Sequence, residues 1–331
     1  MKKLALTFAA AVAALGFVAE NSVAAGRNPG SLLVYPIFDS TAGVATVITV
    51  TNTNSDFSYN QQTGLAKGTV DVEYRYIEGS TCKEFNRTER LTPNDTLSVI
   101  ASAHNAQQSL GYLYVYAKNP QTQAPMSWNW LIGAELAVNG IYSFDYGVNP
   151  ITYKAIPAEG ANTDIDGDGV RDLDNVEYEA SPAVIKVPRF FGQGAFVSNL
   201  VLINLTGGSQ FYATIDFLIY NDNEQKFSAE YQFRCWSRVL LSSISGAFNE
   251  AFLDTTANDP DEIVGVPAIE TGWFEMNGGV ASSTSRTIDD PAFLALLVET
   301  VGGFGSGDLP FEVGTQTNGD LLPRNVNGDN N

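Results

Sequence analysis

Between Asn162 and Glu179 the chain reads NTDIDGDGVRDLDNVEYE. Asp164, Asp166, Asp168, Asp172 and Asp174 take alternate positions, and Val170 fills the one gap. Calcium accepts six to eight oxygens in a flexible cage, and carboxylates at this density supply them. With Asp164 at position one, Asp166 and Asp168 fall at three and five. Gly169 stands at six, where such a loop turns sharply, and Val170 offers its carbonyl at seven. Asp172 takes position nine. Position twelve is Asn175, where the pattern has a bidentate Glu. Asp174 or Glu177 can serve instead if the loop ends irregularly. The expected cofactor is calcium, bound at roughly 10⁻⁴–10⁻³ M as in extracellular modules. The competing reading is a solvated acidic linker.

Other chemistry is sparse. His104 is the one histidine, so a multi-histidine zinc cluster is excluded. A Ser–His–Asp site would have to use it, yet no GxSxG occurs. GGFGSG lacks the lysine of a phosphate loop. A glycosidase needs only two carboxylates, and 37 acidic residues do not single out a pair. No catalytic residue is assigned and an enzyme is not expected. Trp128, Trp130, Trp236 and Trp273 could stack on sugar rings, which makes a carbohydrate-binding module the alternative function.

These residues must be held by a scaffold, and composition bounds it. Hydrophobic residues make up 44% and charged residues 17%, the balance of a globular core. The 18 basic and 37 acidic residues give a net charge of −19, which repels nucleic acid and anionic membranes. MKK, then LALTFAAAVAALGFVA, then SVAAG reads as a secretory signal over residues 1–25. No later run is long enough for a membrane span. The protein is expected in a periplasm, at a surface or outside the cell. Cys82 and Cys235 are an even count in an exported chain and suggest one disulfide, with two buried thiols as the alternative.

A repeat organises the rest. LLVYPIFDSTAGVATVITVTNTN, from Leu32, matches VIKVPRFFGQGAFVSNLVLINLT, from Val184. Pro36 meets Pro188, Phe38 meets Phe190 and Asn52 meets Asn204 at one constant offset. Further on, TVDVEYRY resembles YATIDFLIY, FNRTERL resembles FRCWSRV, and GYLYVYA resembles GWFEM. Short Val-, Ile-, Tyr- and Phe-rich runs between turn residues predict antiparallel strands. The fold class is mostly β, with two tandem antiparallel β-sandwich units related by internal duplication. Unit 1 spans 26–158, the acidic linker 159–180, unit 2 181–323 and a polar tail 324–331. Helices are expected in unit 2 at SGAFNEAFL and at IDDPAFLALLVETVGG. The loop Asp254–Ile269 has no counterpart in unit 1. A Cys82–Cys235 bond would tie unit to unit.

The acidic run resembles the loops of EF-hands, dockerins and thrombospondin type 3 repeats. GSLLVYPIFD and TVITVTNTN resemble segments of uncharacterised secreted bacterial proteins. The first resemblance implies a metal site alone, and the second implies no activity. The expected function is a secreted or surface-associated structural or interaction protein. Its expected partner is a polysaccharide or an envelope protein, not nucleic acid. Calcium in the linker is expected to set the angle between the units.

Overall fold

The computed structural model describes residues 28–140, 144–192, 194, 196–207, 210–221, 224–253, 270–284 and 286–321. The expected signal segment, the loop 254–269 and the tail 324–331 lie outside the described residues.

Alternating sequence makes strands. In VATVITVTN, Ile48 and Val50 are buried while Thr49 and Thr51 face out. Unit 1 contains β1 (Leu32–Asp39), β2 (Val44–Asn52), β3 (Tyr59–Asn60), β4 (Leu65–Ala66), β5 (Val70–Glu78) and β6 (Glu84–Leu91). It continues with β7 (Thr96–Ile100), a one-turn helix α1 (Ala101–His104), β8 (Leu110–Lys118), β9 (Leu131–Asn139), β10 (Phe144–Val148) and β11 (Ile151–Tyr153). The connector holds β12 (Arg171–Leu173). Unit 2 contains β13 (Val184–Phe191), β14 (Phe196–Asn204), β15 (Tyr212–Asn221), β16 (Lys226–Phe233) and β17 (Trp236–Leu240). The one-turn helices α2 (Leu241–Ile244) and α3 (Glu250–Leu253) follow. The chain then forms β18 (Thr271–Ser282), β19 (Thr287–Asp289), β20 (Phe293–Val301), β21 (Phe304–Asp308), β22 (Phe311–Val313) and β23 (Gly319–Leu321).

The two units share one topology. Unit 1 pairs a sheet β11-β1-β8-β5-β6 with a sheet β10-β9-β2-β7. Unit 2 pairs β22-β13-β18-β15-β16 with β17-β14-β20-β21, the same orders strand for strand, and adds the short β19 against the end of β18 beside this five-strand path. Even the irregularities coincide. β1 slips register against β8 between Tyr35 and Phe38, and β13 slips against β18 between Val187 and Phe190. Pro36 and Pro188 lie in those bulges, where a residue without an N–H does not break the ladder.

The units stack rather than hang from a linker. In β1, β5 and β8 almost every residue is buried, because their sheet is covered on both faces. Leu33, Tyr35, Val72, Tyr74 and Val115 point into the core of unit 1. Leu32, Val34, Tyr112, Tyr114 and Tyr116 point the other way, into a second core shared with Val201, Ile203, Leu294, Leu296 and Val298 of unit 2. A third core, around Phe190, Phe217, Phe248 and Phe274, fills unit 2. The result is four sheets in one pile.

The expectations for the two helices and for one strand match are corrected. IDDPAFLALLVETVGG is not a helix: Phe293–Val301 is β20, paired with β14 and β21. Its apolar run is continuous because Ala295 and Leu297 face the unit 2 core while Leu294 and Leu296 face unit 1. Such a run does not by itself distinguish a strand from a buried helix. Gly302 and Gly303, read as a helix stop, form the hairpin turn, with Gly302 at φ +55°. In SGAFNEAFL the expected helix is two short pieces, a 3₁₀ turn at Gly246–Phe248 and α3. The strand match concerns FNRTERL. Its topological equivalent is β16, not FRCWSRV, which runs from the end of β16 into β17.

One buried group conflicts with its surroundings. Glu135 on β9 points inward, is 3% exposed, and neither carboxylate oxygen has a hydrogen-bond partner. Burial raises its pKa well above the ordinary 4.5. The folded chain therefore keeps a proton that the unfolded chain loses above about 4.5. This group's contribution is fully present below that value and declines as pH rises, by about 1.4 kcal/mol per unit, until the folded pKa is reached. Register places Leu297 of unit 2 at the equivalent position, opposite Leu200 as Glu135 is opposite Ile48. Glu135→Leu is expected to stabilise the protein by about 1–3 kcal/mol at neutral pH and to flatten its pH dependence, read by urea denaturation at several pH values.

Candidate metal centre

The acidic run leaves unit 1 beside Met126, which forms a bridge with Asn162. It ends where Tyr178 bridges Ala155. Tyr178 is fully buried and its hydroxyl meets Thr163 Oγ1 at 2.9 Å, so both ends of the loop are fixed to unit 1. Gly167 and Gly169 adopt φ +80° and +84°. A Cβ at either would touch nothing, so backbone conformation is what calls for glycine there. The chain thereby winds its carboxylates inward. Asp164 Oδ1 accepts from Gly169 N, Asp166 Oδ1 from Asp168 N, and Asp168 Oδ1 from Val170 N.

Oxygens of Asp164, Asp166 and Asp168 all lie within 4.8 Å of one another, and so do those of Asp166, Asp172 and Glu177. Asp166 belongs to both sets and so joins two adjoining clusters that together hold five carboxylates. The loop's end differs from the twelve-residue pattern. Asn175, at φ +66°, turns away, and its Oδ1 accepts from Ala180 N. Asp174 Oδ1 caps the turn through Val176 N and Glu177 N. Glu177 is the residue brought inward. It is buried, and it accepts from Ile165 N at 2.5 Å and from Asp172 N at 3.3 Å.

Two residues that the linear pattern does not reveal also join the site. Arg171 is buried, and its Nη2 lies 3.5 Å from Asp164 Oδ2. Its Nε donates to Val170 O at 2.5 Å, the carbonyl expected to face a cation. The same guanidinium lies 5.1 Å from the ring centre of Tyr116, in the core between the units. Asp320, on β23, stands directly opposite Asp172 in the β12–β23 ribbon, and its Oδ1 is sealed from solvent without a hydrogen-bond partner. No linear spacing reveals it, because the two strands are distant in sequence and meet only in the fold.

The electrostatics match this crowding. Burial, then Asp168, Asp166 and Asp174, raise the Asp172 pKa to about 6. Burial raises Glu177 to about 7 against two backbone N–H bonds, and raises Asp320 to about 7 with Asp172 adding to it. Oxygen donors in excess negative charge suit a hard divalent cation.

The joint between the units lies elsewhere. Cys82 and Cys235 form a disulfide across 153 residues of sequence, and both are buried in the inter-unit core. Beside it Trp236 Nε1 donates to Pro36 O at 2.9 Å, and Arg238 Nη1 meets Asp39 Oδ2 at 3.1 Å. Gly79 leaves room for the indole, since a Cβ there would lie 2.3 Å from Trp236.

The remaining candidates are structural. His104 is buried, its Nδ1 meets the Tyr76 hydroxyl at 2.9 Å, and burial followed by Arg87 lowers its pKa. Trp128 is buried and donates to Asn52 Oδ1. Trp273 stacks on Tyr220 at 4.3 Å, with Lys186 Nζ 6.0 Å from its ring centre. Trp130, 38% exposed, and Trp273 are the tryptophans that are not buried. No family model, curated protein or solved structure matches this chain.

Glu177→Gln is expected to weaken calcium binding by about 10-fold or more, and Asn175→Ala by much less, in calorimetric titration. Protons held by Asp172 and Glu177 would compete with a cation, so calcium binding by the wild type is expected to tighten as pH rises through about 6 to 7 in the same titration. The cation-free protein has the opposite trend. Both folded pKa values exceed the unfolded ones, so their contribution is present at low pH and lost as pH rises through that window.

Proposed function

We propose that this chain is an exported structural or interaction protein, secreted or held at a cell surface, with calcium in its connector. The observation that carries this reading is the joint. A buried disulfide lies within an apolar core between two sandwiches. Disulfides of this kind persist in oxidising compartments. A rigid stack presents two outer sheet faces at fixed spacing, which suits assembly or display more than turnover. The net charge of −19 disfavours nucleic acid as a partner. Among the described residues no helix is long and apolar enough to cross a membrane.

A carbohydrate-binding module has less support. It calls for a flat aromatic ring open to a sugar. Trp128 and Trp236 are buried, and Trp273 is flanked by Tyr220 and Lys186. The groove of about 580 Å³ on the outer face of unit 2 is lined by Asp216, Phe217, Leu218, Ser228, Ala229, Glu230 and Asn277, and the ring of Phe217 is buried in the unit 2 core, so it offers no platform.

Cell fractionation with thiol trapping tests the reading, together with capture of envelope polysaccharides and proteins by the purified chain, with and without calcium. An oxidised protein outside the cytoplasm that retains an envelope component supports it. A reduced cytoplasmic pool, or cleavage of a captured glycan, overturns it. Cys82→Ser with Cys235→Ser is expected to lower unfolding stability by up to about 5 kcal/mol in the chain-entropy picture. The variant remains one folded body, because the apolar core persists, as sedimentation and thermal melts will show.

A further inference from the structure

The contact between the units is head to tail. The outer face of the five-stranded sheet of unit 1 meets the outer face of the four-stranded sheet of unit 2. These are different surfaces, so the contact does not close on itself. Because both units share one topology, each end of the stack presents the counterpart of a surface that is already docked inside it. Unit 1 ends in a four-stranded face, and unit 2 ends in a five-stranded face.

Register defines the equivalent positions. Glu135 faces Ile48 as Leu297 faces Leu200, so Ile132 and Leu136 correspond to Leu294 and Val298. Leu294 and Val298 are buried in the joint, whereas Ile132 and Leu136 are 40% and 42% exposed. Ile151 and Tyr153 lie opposite Val34 and Leu32, as Phe311 and Val313 lie opposite Lys186 and Val184. Ile151 and Tyr153 are buried in the joint, whereas Phe311 and Val313 are 66% and 45% exposed. Large apolar side chains therefore stand in solvent at interface-equivalent positions on both ends.

We propose that copies of this chain stack head to tail, the four-stranded face of unit 1 seating on the five-stranded face of unit 2 of the next copy. The inference rests on the reading of the chain as an interaction protein and supplies its partner. The contact between chains is weaker than the one within. Thr49 and Thr51 replace Val201 and Ile203 on one face, and a partly exposed Lys186–Glu275 pair and Asn277 replace Val34, Tyr114 and Tyr116 on the other. Polar groups at these positions must be desolvated, so assembly is reversible and concentration-dependent.

Sedimentation velocity of the full chain from about 1 to about 200 μM tests it. The weight-average mass is expected to rise past that of a dimer. Leu136→Lys and Phe311→Lys should each stop growth, while thermal melts stay unchanged because both residues are exposed. The decisive arm is an equimolar mixture of the two variants. Each keeps one intact face of opposite kind, so the mixture should form dimers and nothing larger. A wild type that stays monomeric overturns the proposal. So does a single variant that still dimerises with itself, since that contact joins like faces. A monomeric chain that still captures an envelope component would remove this inference and leave the proposed function standing.

Discussion

The rest of the structure depends on one dry contact, the outer face of β1, β5 and β8 against that of β14 and β20. It decides which side chains those strands carry. A sheet exposed on one side alternates, as β2 and β7 do. A sheet covered on both sides carries apolar or aromatic residues at nearly every position, as β1 and β8 do. Charged side chains there are paired, whereas the hydroxyls of Tyr112 and Tyr153 are sealed in without a hydrogen-bond partner. Arg75 pairs with Glu84 at 3.1 Å, and its guanidinium lies 5.4 Å from the ring centre of Tyr116. A buried ion pair contributes little net stability against an apolar replacement, but breaking one partner away is costly.

Magnitudes separate the role of the joint from that of the acidic loop. Each fully buried Leu, Val or Ile contributes about 1.5–3 kcal/mol, and Leu32, Val34, Val201, Ile203, Leu294 and Leu296 are all fully buried in the joint. A cation that binds only the folded chain adds RT ln(1 + [L]/Kd), about 0.4 kcal/mol when its concentration equals Kd. A cation bound this weakly would contribute far less than the dry contact does to the relative placement of the units. The connector is also held by protein contacts, through the β12–β23 ribbon, the Thr163–Tyr178 bond and Arg171 over Tyr116. Arg171 places a positive charge among the carboxylates and an apolar-facing plane against the joint, so the loop and the joint share a residue.

What could be read in the sequence was what depends on near neighbours. The Thr/Val alternation of β2, the turn residues between strands and the paired prolines each act within a few positions. So does the winding of Asp164 to Asp172 about two glycines. What could not be read depends on where a sheet lies in the pile. AFLALLV carries no alternation because neither of its faces meets water, and Gly302-Gly303 ends a helix or turns a hairpin equally well. Asn175 held the expected position in the pattern, yet its positive φ and the Ala180 N–H turn it away, and Glu177 enters instead. Asp320 reaches Asp172 only through pairing of the last described strand with the connector.

The same topology carries two chemistries, and comparing equivalent positions shows which faces were built to be dry. Val34 and Tyr114 of unit 1 become Lys186 and Glu275 in unit 2, which pair with each other at 3.2 Å on an open face. Val201 and Ile203 of unit 2 have Thr49 and Thr51 as counterparts, whose hydroxyls bond Ser98 and Thr96 across the strand. A hydroxyl already bonded to its neighbour loses less on drying than one bonded to water alone. A charged pair such as Lys186–Glu275 loses far more. The two ends are therefore unequal: the four-stranded end is close to a surface that could dry, and the five-stranded end is held back by the Lys186–Glu275 pair together with Asp216, Glu230 and Asn277. An open-ended contact held back in this way keeps the two-unit stack soluble without removing the apolar positions on which longer stacking depends.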